Sequence, residues 1–349
     1  MIVGITGLTS ADNPVPGFGV ARALRSCARS GLVLVGLAYD PLETALYEEG
    51  LLDRGHHIPS PVREPEAFLA RLADIKAEAG LDLLIPNLDD EIPALCALAP
   101  ALKRLGVATF LPKVQALDML EKQNLPRWTA RKGVRLAHPH TRVVAEAAEL
   151  AELAPEHLAY PVVVKGTRRG ARVVYSAPEL RLAVARVLAK DQRPAIVQDF
   201  VSGEAYSIAA LADAEYRIRG LLPLKKLLVS STGASWMGFT VADEAFLDIA
   251  SRAAQALKWV GPMDIELLRK DQDEYQLIEI NPRFPGWISF SAEAGPNLPA
   301  MLLDLVQERD PGPLTPPPGG LMFVRRAVDI VTDINTFGLF SLSGEMRHD

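Results

Sequence analysis

Residues 261–287 constrain the fold more than any other stretch of this sequence, because they predict two short strands joined by a polar turn. Residues 264–268 suit the first strand, and residues 275–280 alternate as the second. The charged segment RKDQDE between them is turn-prone and suits a hairpin tip. Pro282 cannot donate to a β-ladder, so we expect the second strand to end there.

This predicted hairpin carries three side chains with hard oxygen ligands. Glu279 and Asn281 are two residues apart in an extended chain, so both point to the same side. Glu266 lies one strand away and can bring a third oxygen to the same point. Such oxygens suit Mg²⁺, which is usually shared with substrate phosphates, and the Arg283 guanidinium that follows could clamp phosphate oxygens. From spacing alone, a solvated hairpin without a function is an equally good interpretation.

The first 112 residues predict a parallel sheet, because short apolar strands alternate with amphipathic helices. The predicted strands are 1–6, 32–38, 81–85 and 107–110, and the predicted helices are 20–29, 65–80 and 92–106. A long loop at 7–19 precedes the first helix. A dinucleotide-binding site is a weak alternative, because no G-x-G-x-x-G is present.

Composition excludes several classes of function. The net charge is −6 and the Lys and Arg residues are scattered, which argues against a nucleic-acid partner. No apolar run approaches the ~18 residues that a membrane span needs, so we expect a soluble, cytoplasmic protein without membrane contact. Cys27 and Cys96 lie far apart in apolar patterns, which indicates buried thiols in a reducing compartment.

The apolar run YPVVVK predicts a strand that delivers Lys165 to its end, which is not ordinary surface patterning. The loop that follows contains Gly166 and Gly170, and the backbone N–H groups of a glycine loop can cradle an anion. Arg168 and Arg169 in this loop either supplement phosphate binding, recognise an acidic substrate or are simply solvated.

The segments Asp264-Ile265-Glu266 and Glu279-Ile280-Asn281-Pro282-Arg283 together resemble the metal-binding core of the ATP-grasp superfamily. The closest resemblance is to single-domain proteins similar to the large subunit of carbamoyl phosphate synthetase, and it extends over nearly the whole chain. It implies an α/β and α+β fold, in which an N-terminal parallel α/β domain precedes a two-lobed ATP-grasp fold. The expected domains are a pre-ATP-grasp (Rossmann-like) domain at 1–113, a small lobe at 114–192, a large lobe at 193–335 and a C-terminal tail at 336–349, of which the last ten or so residues are expected to be loosely held.

The resemblance also implies roles for individual residues. Glu266, Glu279 and Asn281 would hold Mg²⁺ against ATP, with two ions expected and Mn²⁺ as an alternative metal. The residues that would contact phosphates are Arg283, Lys122, Lys165, Gly166 and Gly170. Lys225 and Lys226 would contact phosphate or acyl phosphate, although adjacent strand residues face opposite ways, so at most one serves directly.

The nucleotide base and ribose would lie against the segment after residue 194. The residues implied to line the adenine are Gln198, Asp199, Phe200 and Val201. The family's ribose-binding Glu corresponds to Ala205, and the acid stands one residue earlier, at Glu204. Because a one-residue step in a strand turns a side chain to the other face, Glu204 can replace it only if a bulge or loop shift turns it inward.

Three acidic residues, Asp89, Asp90 and Glu91, follow the predicted strand at 81–85. In the resembled family, loops at this position often face the acceptor substrate. The alternative is that they cap the next helix and interact favourably with its dipole.

The implied activity is an ATP-dependent ligase that activates a carboxylate as an acyl phosphate and joins it to an amine or similar nucleophile. Its partners would be small-molecule or peptide acids and amines, and a homodimer is common among the proteins it resembles. Two alternatives stay open. One is an ATP-grasp phosphotransferase of the acid or carbamate kinase type, and the other is a non-catalytic nucleotide-binding protein.

Overall fold

A computed structural model of the protein describes residues 1–9, 15–166, 170–191, 194–230, 233–270, 274–315 and 318–348. The chain divides into two compact units. The larger unit comprises residues 1–114, 207–264 and 281–349, and the smaller unit comprises residues 115–206 and 265–280. In the part of the chain that the structure describes, no helix is long and apolar enough to cross a membrane.

The strands of the described residues are, in chain order, β1 (Ile2–Ile5), β2 (Val33–Ala38), β3 (Arg54–His57), β4 (Leu83–Ile85), β5 (Thr141–Val144), β6 (Val162–Lys165), β7 (Ala171–Val174), β8 (Ala195–Asp199), β9 (Glu204–Ala212), β10 (Ile218–Val229), β11 (Ser235–Thr240), β12 (Gly261–Arg269), β13 (Gln276–Asn281), β14 (Met322–Val324) and β15 (Glu345–Arg347). The α-helices are α1 (Pro16–Ser26), α2 (Pro65–Ala79), α3 (Ile92–Arg104), α4 (Val114–Leu120), α5 (Leu125–Thr129), α6 (Ala177–Asp191), α7 (Ala245–Leu257), α8 (Ser291–Ala294), α9 (Leu298–Val306) and α10 (Ile334–Ser343).

The larger unit begins with a five-stranded sheet in the order β15-β3-β2-β1-β4. The predicted parallel pairing is confirmed, because β1 pairs in parallel with β2 and β4, and β2 with β3. The near-continuous apolar sequence of β2, VLVGLA, is typical of a parallel strand covered on both faces. The strand predicted at 107–110 forms only a single bridge, between Leu83 and Ala108.

The first helix begins earlier than the sequence indicates. We predicted a loop at 7–19, but α1 starts at Pro16, where a fixed φ and a missing N–H suit the first helical position. Gly17 then lies against the backbone that follows β1, because a Cβ at Gly17 would come within 2.0 Å of the Thr6 carbonyl oxygen. Only glycine allows so close an approach.

The end of the described chain also differs from the prediction that its last ten residues are loosely held. Strand β15 pairs antiparallel with β3, with Met346 opposite Gly55. Phe340 and Met346 are buried in the core of the larger unit. Strand β3 was not predicted, because its sequence RGHH lacks the apolar alternation of a typical strand.

The smaller unit contains a four-stranded sheet in the order β5-β8-β6-β7. Its pairings β5·β8, β6·β8 and β6·β7 are antiparallel. Val162, Val164 and Val197 pack with α6 residues such as Leu180 in the core of this unit. The predicted strand ending at Lys165 is therefore confirmed as β6.

The third sheet has six strands in the order β13-β12-β9-β10-β11-β14. The two predicted strands are confirmed as the neighbouring strands β12 and β13, and β13 ends just before Pro282. The middle of the predicted hairpin tip, residues 271–273, lies outside the described residues. Two elements differ from prediction. The Ser-, Gly- and Thr-rich sequence 230–238 predicts a loop, but residues 235–240 form β11. The alternating sequence 321–330 predicts a final strand, but β14 spans only Met322–Val324.

Candidate functional site

Strands β12 and β13 place the predicted metal ligands at alternating positions. Asp264 and Glu266 share one face of β12, and Glu279 and Asn281 share one face of β13. Glu266, Glu279 and Asn281 are half-buried, whereas Asp264 is buried. Two carboxylates and an amide oxygen fit a hard divalent cation such as Mg²⁺. Their role as ligands stays a prediction.

In the larger unit, the buried carboxylate of Asp264 contacts three side chains. It accepts hydrogen bonds from Ser207 Oγ at 2.6 Å and from Asn281 Nδ2 at 3.1 Å. Arg283 Nη1 lies 3.6 Å from its second oxygen. Because the amide nitrogen of Asn281 is held in this way, its carbonyl oxygen points away from Asp264. Sequence analysis missed this function of Asp264, although its place two residues before Glu266 on one strand face was a usable signal.

Arg283 also forms a two-point ion pair in the larger unit. Its Nε lies 2.9 Å from Asp89 Oδ1, and its Nη2 donates to Asp89 Oδ2 at 3.1 Å. A third contact runs from Nη1 to the Phe284 carbonyl oxygen at 3.1 Å. Such bidentate contacts fix the plane of a guanidinium. The predicted phosphate-binding arginine is therefore held in one orientation by an acidic residue of the loop that follows β4.

The carboxylate of Glu91, two residues after Asp89, takes part in hydrogen bonds within the fold. Its carboxylate is buried and accepts hydrogen bonds from the hydroxyls of Thr6 and Tyr39 and from the backbone N–H groups of Asn87 and Leu88. Burial raises the pKa of Glu91 above its ordinary value. Glu91 makes no side-chain cap to α3, so it stabilises the loop between β4 and α3 instead.

The smaller unit holds the predicted phosphate-binding lysines. Lys122 Nζ lies 2.8 Å from Glu279 Oε2, so a predicted phosphate contact and a predicted metal ligand are paired. Lys165 is only 9% exposed and donates to Gln198 Oε1 at 2.9 Å. Gln198 Nε2 in turn donates to Thr141 Oγ1 at 2.9 Å. The register explains this chain of contacts, because Gln198 is opposite both Val163 and Thr141 in the sheet.

Burial dominates the electrostatic environment of Lys165. Burial lowers the pKa of its ammonium, and the nearby Lys122 charge lowers it further, whereas Glu279 and Glu266 oppose the shift. Desolvated charges interact more strongly than solvated ones. The phosphate contact of Lys165 stays a prediction.

The predicted glycine loop lies next to cationic side chains. Gly166 and Gly170 line a pocket of the smaller unit together with Arg172, Arg186 and Lys190. Gly170 has a positive φ of 90° and open space where a Cβ would stand. The predicted contacts Arg168 and Arg169 lie outside the described residues.

The residues predicted around the nucleotide base are in different environments. Asp199, at the end of β8, forms an ion pair with Arg142 at 2.7 Å, and Phe200 is 41% exposed. Val201 follows as a half-buried loop residue. Glu204 begins β9, and its carboxylate accepts a hydrogen bond from the Tyr206 hydroxyl at 2.8 Å. Its ribose-binding role stays a prediction.

Lys225 and Lys226 lie on β10 of the larger unit, opposite Phe239 and Gly238 of β11. The ammonium of Lys225 lies 5.9 Å from the centre of the Phe239 ring, a cation–π arrangement. A register irregularity follows Lys226. Because successive strand residues face opposite ways, Lys226 points away from the Phe239 ring.

Comparison with known proteins supports one family. Residues 191–325 match the family described as "ATP-grasp in the biosynthetic pathway with Ter operon". The chain is 26% identical to the carbamoyl phosphate synthase large chain of Agathobacter rectalis over 200 residues, which cover 53% of this chain and 18% of the relative. The chain therefore spans less than a fifth of the length of this curated relative.

Solved structures share the fold at low sequence identity. The L-amino acid ligase of Bacillus licheniformis superposes with a TM-score of 0.65 at 17% identity, covering 88% of this chain and 74% of that chain. Biotin carboxylase of Campylobacter jejuni superposes with a TM-score of 0.68 at 16% identity, covering 88% of this chain and 70% of that chain. The N5-carboxyaminoimidazole synthetase of Staphylococcus aureus superposes with a TM-score of 0.65 at 15% identity, covering 92% of this chain and 79% of that chain.

These matches agree with the fold described above, which has parallel strands at the start of the chain and antiparallel pairing in two further sheets. The family match and the carbamoyl phosphate synthase relative come from sequence, and the structural likenesses come from the fold. The resemblance of this chain to the ATP-grasp superfamily is thus confirmed.

Proposed function

We propose that this protein is an ATP-dependent ligase that activates a carboxylate as an acyl phosphate and joins it to an amine, releasing ADP and phosphate. The observation that carries this proposal is the buried Asp264 carboxylate, which orients Asn281 and Arg283 together. One is a predicted metal ligand and the other a predicted phosphate contact. A buried carboxylate that holds both side chains supports phosphoryl transfer, which depends on positioning and charge.

The proposed reaction has two steps. A carboxylate oxygen of the acceptor bonds to the γ-phosphorus of ATP, and the bond from that phosphorus to the bridging oxygen breaks, which releases ADP. The amine nitrogen then bonds to the acyl carbon, the bond from that carbon to the phosphate oxygen breaks, and the amine loses a proton to solvent. No residue needs to form a covalent bond, so the protein contributes orientation and positive charge.

The chain's own residues divide this work. Lys122 and Lys165 would bind ATP phosphates, Arg283 and Lys226 would bind the transferring phosphoryl group or the acyl phosphate, and Gln198 would lie at the base. Glu266, Glu279 and Asn281 would hold Mg²⁺, whose charge offsets that of the phosphates when it is bound. Asp89 keeps the Arg283 guanidinium in plane through its two-point contact.

An ADP-release screen tests the proposal. Amino acids, short peptides and small dicarboxylates are offered with and without an added amine. We expect release that requires both an acid and an amine, and that is lost in Glu279→Ala. The matched control is Glu274→Ala, which removes an exposed acid just before the same strand. Hydrolysis unchanged by Glu279→Ala would remove the proposed mechanism.

The same screen separates the alternatives. A phosphotransferase of the acid or carbamate kinase type would release ADP with the acid alone, independently of any amine. A non-catalytic protein would bind nucleotide without turnover. The names of the similar solved structures, among them an L-amino acid ligase, favour the ligase.

Three further expectations are part of the proposal. We propose domain boundaries near residues 113, 192 and 335, and limited proteolysis tests them. We also propose that the protein forms a homodimer, and light scattering tests this. A cytoplasmic location is kept because Cys27 and Cys96 are both free thiols.

A further inference from the structure

A second group of potential ligands lies in the larger unit, outside the residues discussed so far. One ring nitrogen of His56 and one carboxylate oxygen each of Glu78 and Glu345 all lie within 4.8 Å of one another. His56 is on β3 and is directly opposite Glu345 on β15, so the two side chains share one face of the sheet. Glu78 belongs to the last turn of α2. Three separate elements therefore meet at this point.

His56 is the unusual member of this group. It is only 2% exposed, and among the described residues neither of its ring nitrogens has a hydrogen-bond partner. Buried polar atoms in proteins nearly always have a partner, and leaving one without a partner is destabilising. A neutral imidazole is also the commonest protein ligand for transition metals. The buried ring thus offers a nitrogen atom that a cation could bind.

The two carboxylates are arranged to complete such a site. Arg71 Nη2 lies 3.2 Å from Glu345 Oε1, and Arg347 Nη2 lies 3.1 Å from Glu78 Oε1. Both ion pairs use the Oε1 atom of the glutamate, so the Oε2 atom of each can turn towards a cation.

We propose that His56, Glu78 and Glu345 bind one divalent transition-metal cation of the Zn²⁺ class, which links β15 to β3 and α2. One imidazole nitrogen and two carboxylate oxygens suit Zn²⁺, with water in the remaining position. The imidazole disfavours Mg²⁺ and Ca²⁺, which prefer all-oxygen ligands. This site is independent of the proposed ligase activity.

The test uses the full chain, purified without a histidine tag and freed of metal with a chelator. Zn²⁺ binding is measured by calorimetric titration, and the unfolding temperature is measured with and without Zn²⁺. We expect one Zn²⁺ per chain at this site and a rise in unfolding temperature, because a ligand of the folded state stabilises it by mass action. Mg²⁺ at the same concentration should not produce this rise.

The variants use the two exposed glutamates, which can be changed without disturbing the core. Glu78→Gln and Glu345→Gln should each weaken Zn²⁺ binding by at least about tenfold. Glu66→Gln, an exposed acid in the first turn of the same helix as Glu78, is the matched control and should bind as the unchanged protein does. His56→Ala should also lose the site, but it is secondary because a buried change can disturb folding.

Arg347→Gln separates a metal site from a set of surface ion pairs. It removes the contact to Glu78 but keeps all three ligands, so Zn²⁺ binding should be retained. A protein that binds no Zn²⁺, or whose Zn²⁺ binding is unaffected by Glu78→Gln and Glu345→Gln, would overturn the proposal.

Discussion

At the scale of single residues, Asp264 shows how a buried carboxylate can direct other side chains. Hydrogen bonds that involve a charged group contribute about 1.5–3 kcal/mol each. Asp264 accepts from Ser207 and Asn281 and faces Arg283. Asp264→Asn keeps the size of the side chain but turns one acceptor oxygen into a donor that faces other donors.

We therefore expect Asp264→Asn to lower the rate of acid- and amine-dependent ADP release by about ten- to a hundredfold, the equivalent of one charged hydrogen bond. Asp213→Asn is the matched control, because Asp213 is another buried aspartate of the larger unit and it pairs with Arg217 at 2.9 Å. Both variants are to be checked by thermal unfolding. Equal activities in the two variants would contradict the positioning role of Asp264.

Lys165 gives a prediction on pH and stability. Burial depresses its pKa below the ordinary lysine value of 10.5, so the unfolded chain holds this proton more tightly than the folded one. The contribution of Lys165 to the stability of the folded protein therefore becomes more favourable as pH rises from neutral towards 10.5. Lys165→Met lacks this titration, and so the free energy of unfolding of the unchanged protein should rise relative to that of the variant over this pH range.

Urea unfolding at several pH values measures this difference. Lys190→Met, a substitution of an exposed lysine on α6, controls for the loss of one positive charge. A difference between the unchanged protein and Lys165→Met that does not vary with pH would show that Lys165 is not desolvated in the folded state.

At the scale of elements, two helical glycines should respond in opposite directions to the same change. A Cβ at Gly17 of α1 would lie 2.0 Å from a backbone oxygen, whereas one at Gly338 of α10 meets nothing within 4 Å. Gly17→Ala should lower the free energy of unfolding by at least about 1–3 kcal/mol through overpacking. Gly338→Ala should raise it by roughly 0.5–1 kcal/mol, because alanine loses less backbone freedom in a helix.

Chemical denaturation of both variants, beside the unchanged protein, measures these effects. Similar stabilities for Gly17→Ala and the unchanged protein would mean that α1 does not pack so closely against the loop that follows β1. The pair is informative because the substitution is identical and only the surroundings differ.

The elements that sequence analysis predicted correctly are those with strong local signals. The strand that ends at Lys165 is a continuous apolar run, and the end of β13 is fixed by Pro282. The start of α1 and the strands β3 and β15 were missed because their signals are not local. Strand β3, with the sequence RGHH, is specified by its partners β2 and β15 rather than by its own pattern.

The same reasoning applies to the candidate site. Glu266, Glu279, Asn281 and Arg283 could be predicted because they lie close together in sequence and resemble a known arrangement. The contacts that orient them were not, because Asp89 is 194 residues from Arg283 and Ser207 is 57 residues from Asp264. No spacing rule connects residues so far apart.

At the scale of the whole molecule, nucleotide binding should be measurable as stability. A ligand of the folded state at about a hundred times its Kd stabilises by about 2.7 kcal/mol. We expect Mg²⁺ with a non-hydrolysable ATP analogue to raise the unfolding temperature of the unchanged protein and of Glu274→Ala. Glu279→Ala should show a smaller rise. An equal rise in all three proteins would show that nucleotide binding does not depend on the predicted metal ligand Glu279.

The pairing of β15 with β3 has a further consequence for the behaviour of the protein in solution. If β15 detaches, the outer side of β3 exposes a row of unsatisfied N–H and C=O groups, which is a template for strand addition by another chain. Proteins truncated before residue 345 should then self-associate through the exposed edge of β3. Fusion partners attached after β15 should therefore be chosen so that they do not disturb its pairing with β3.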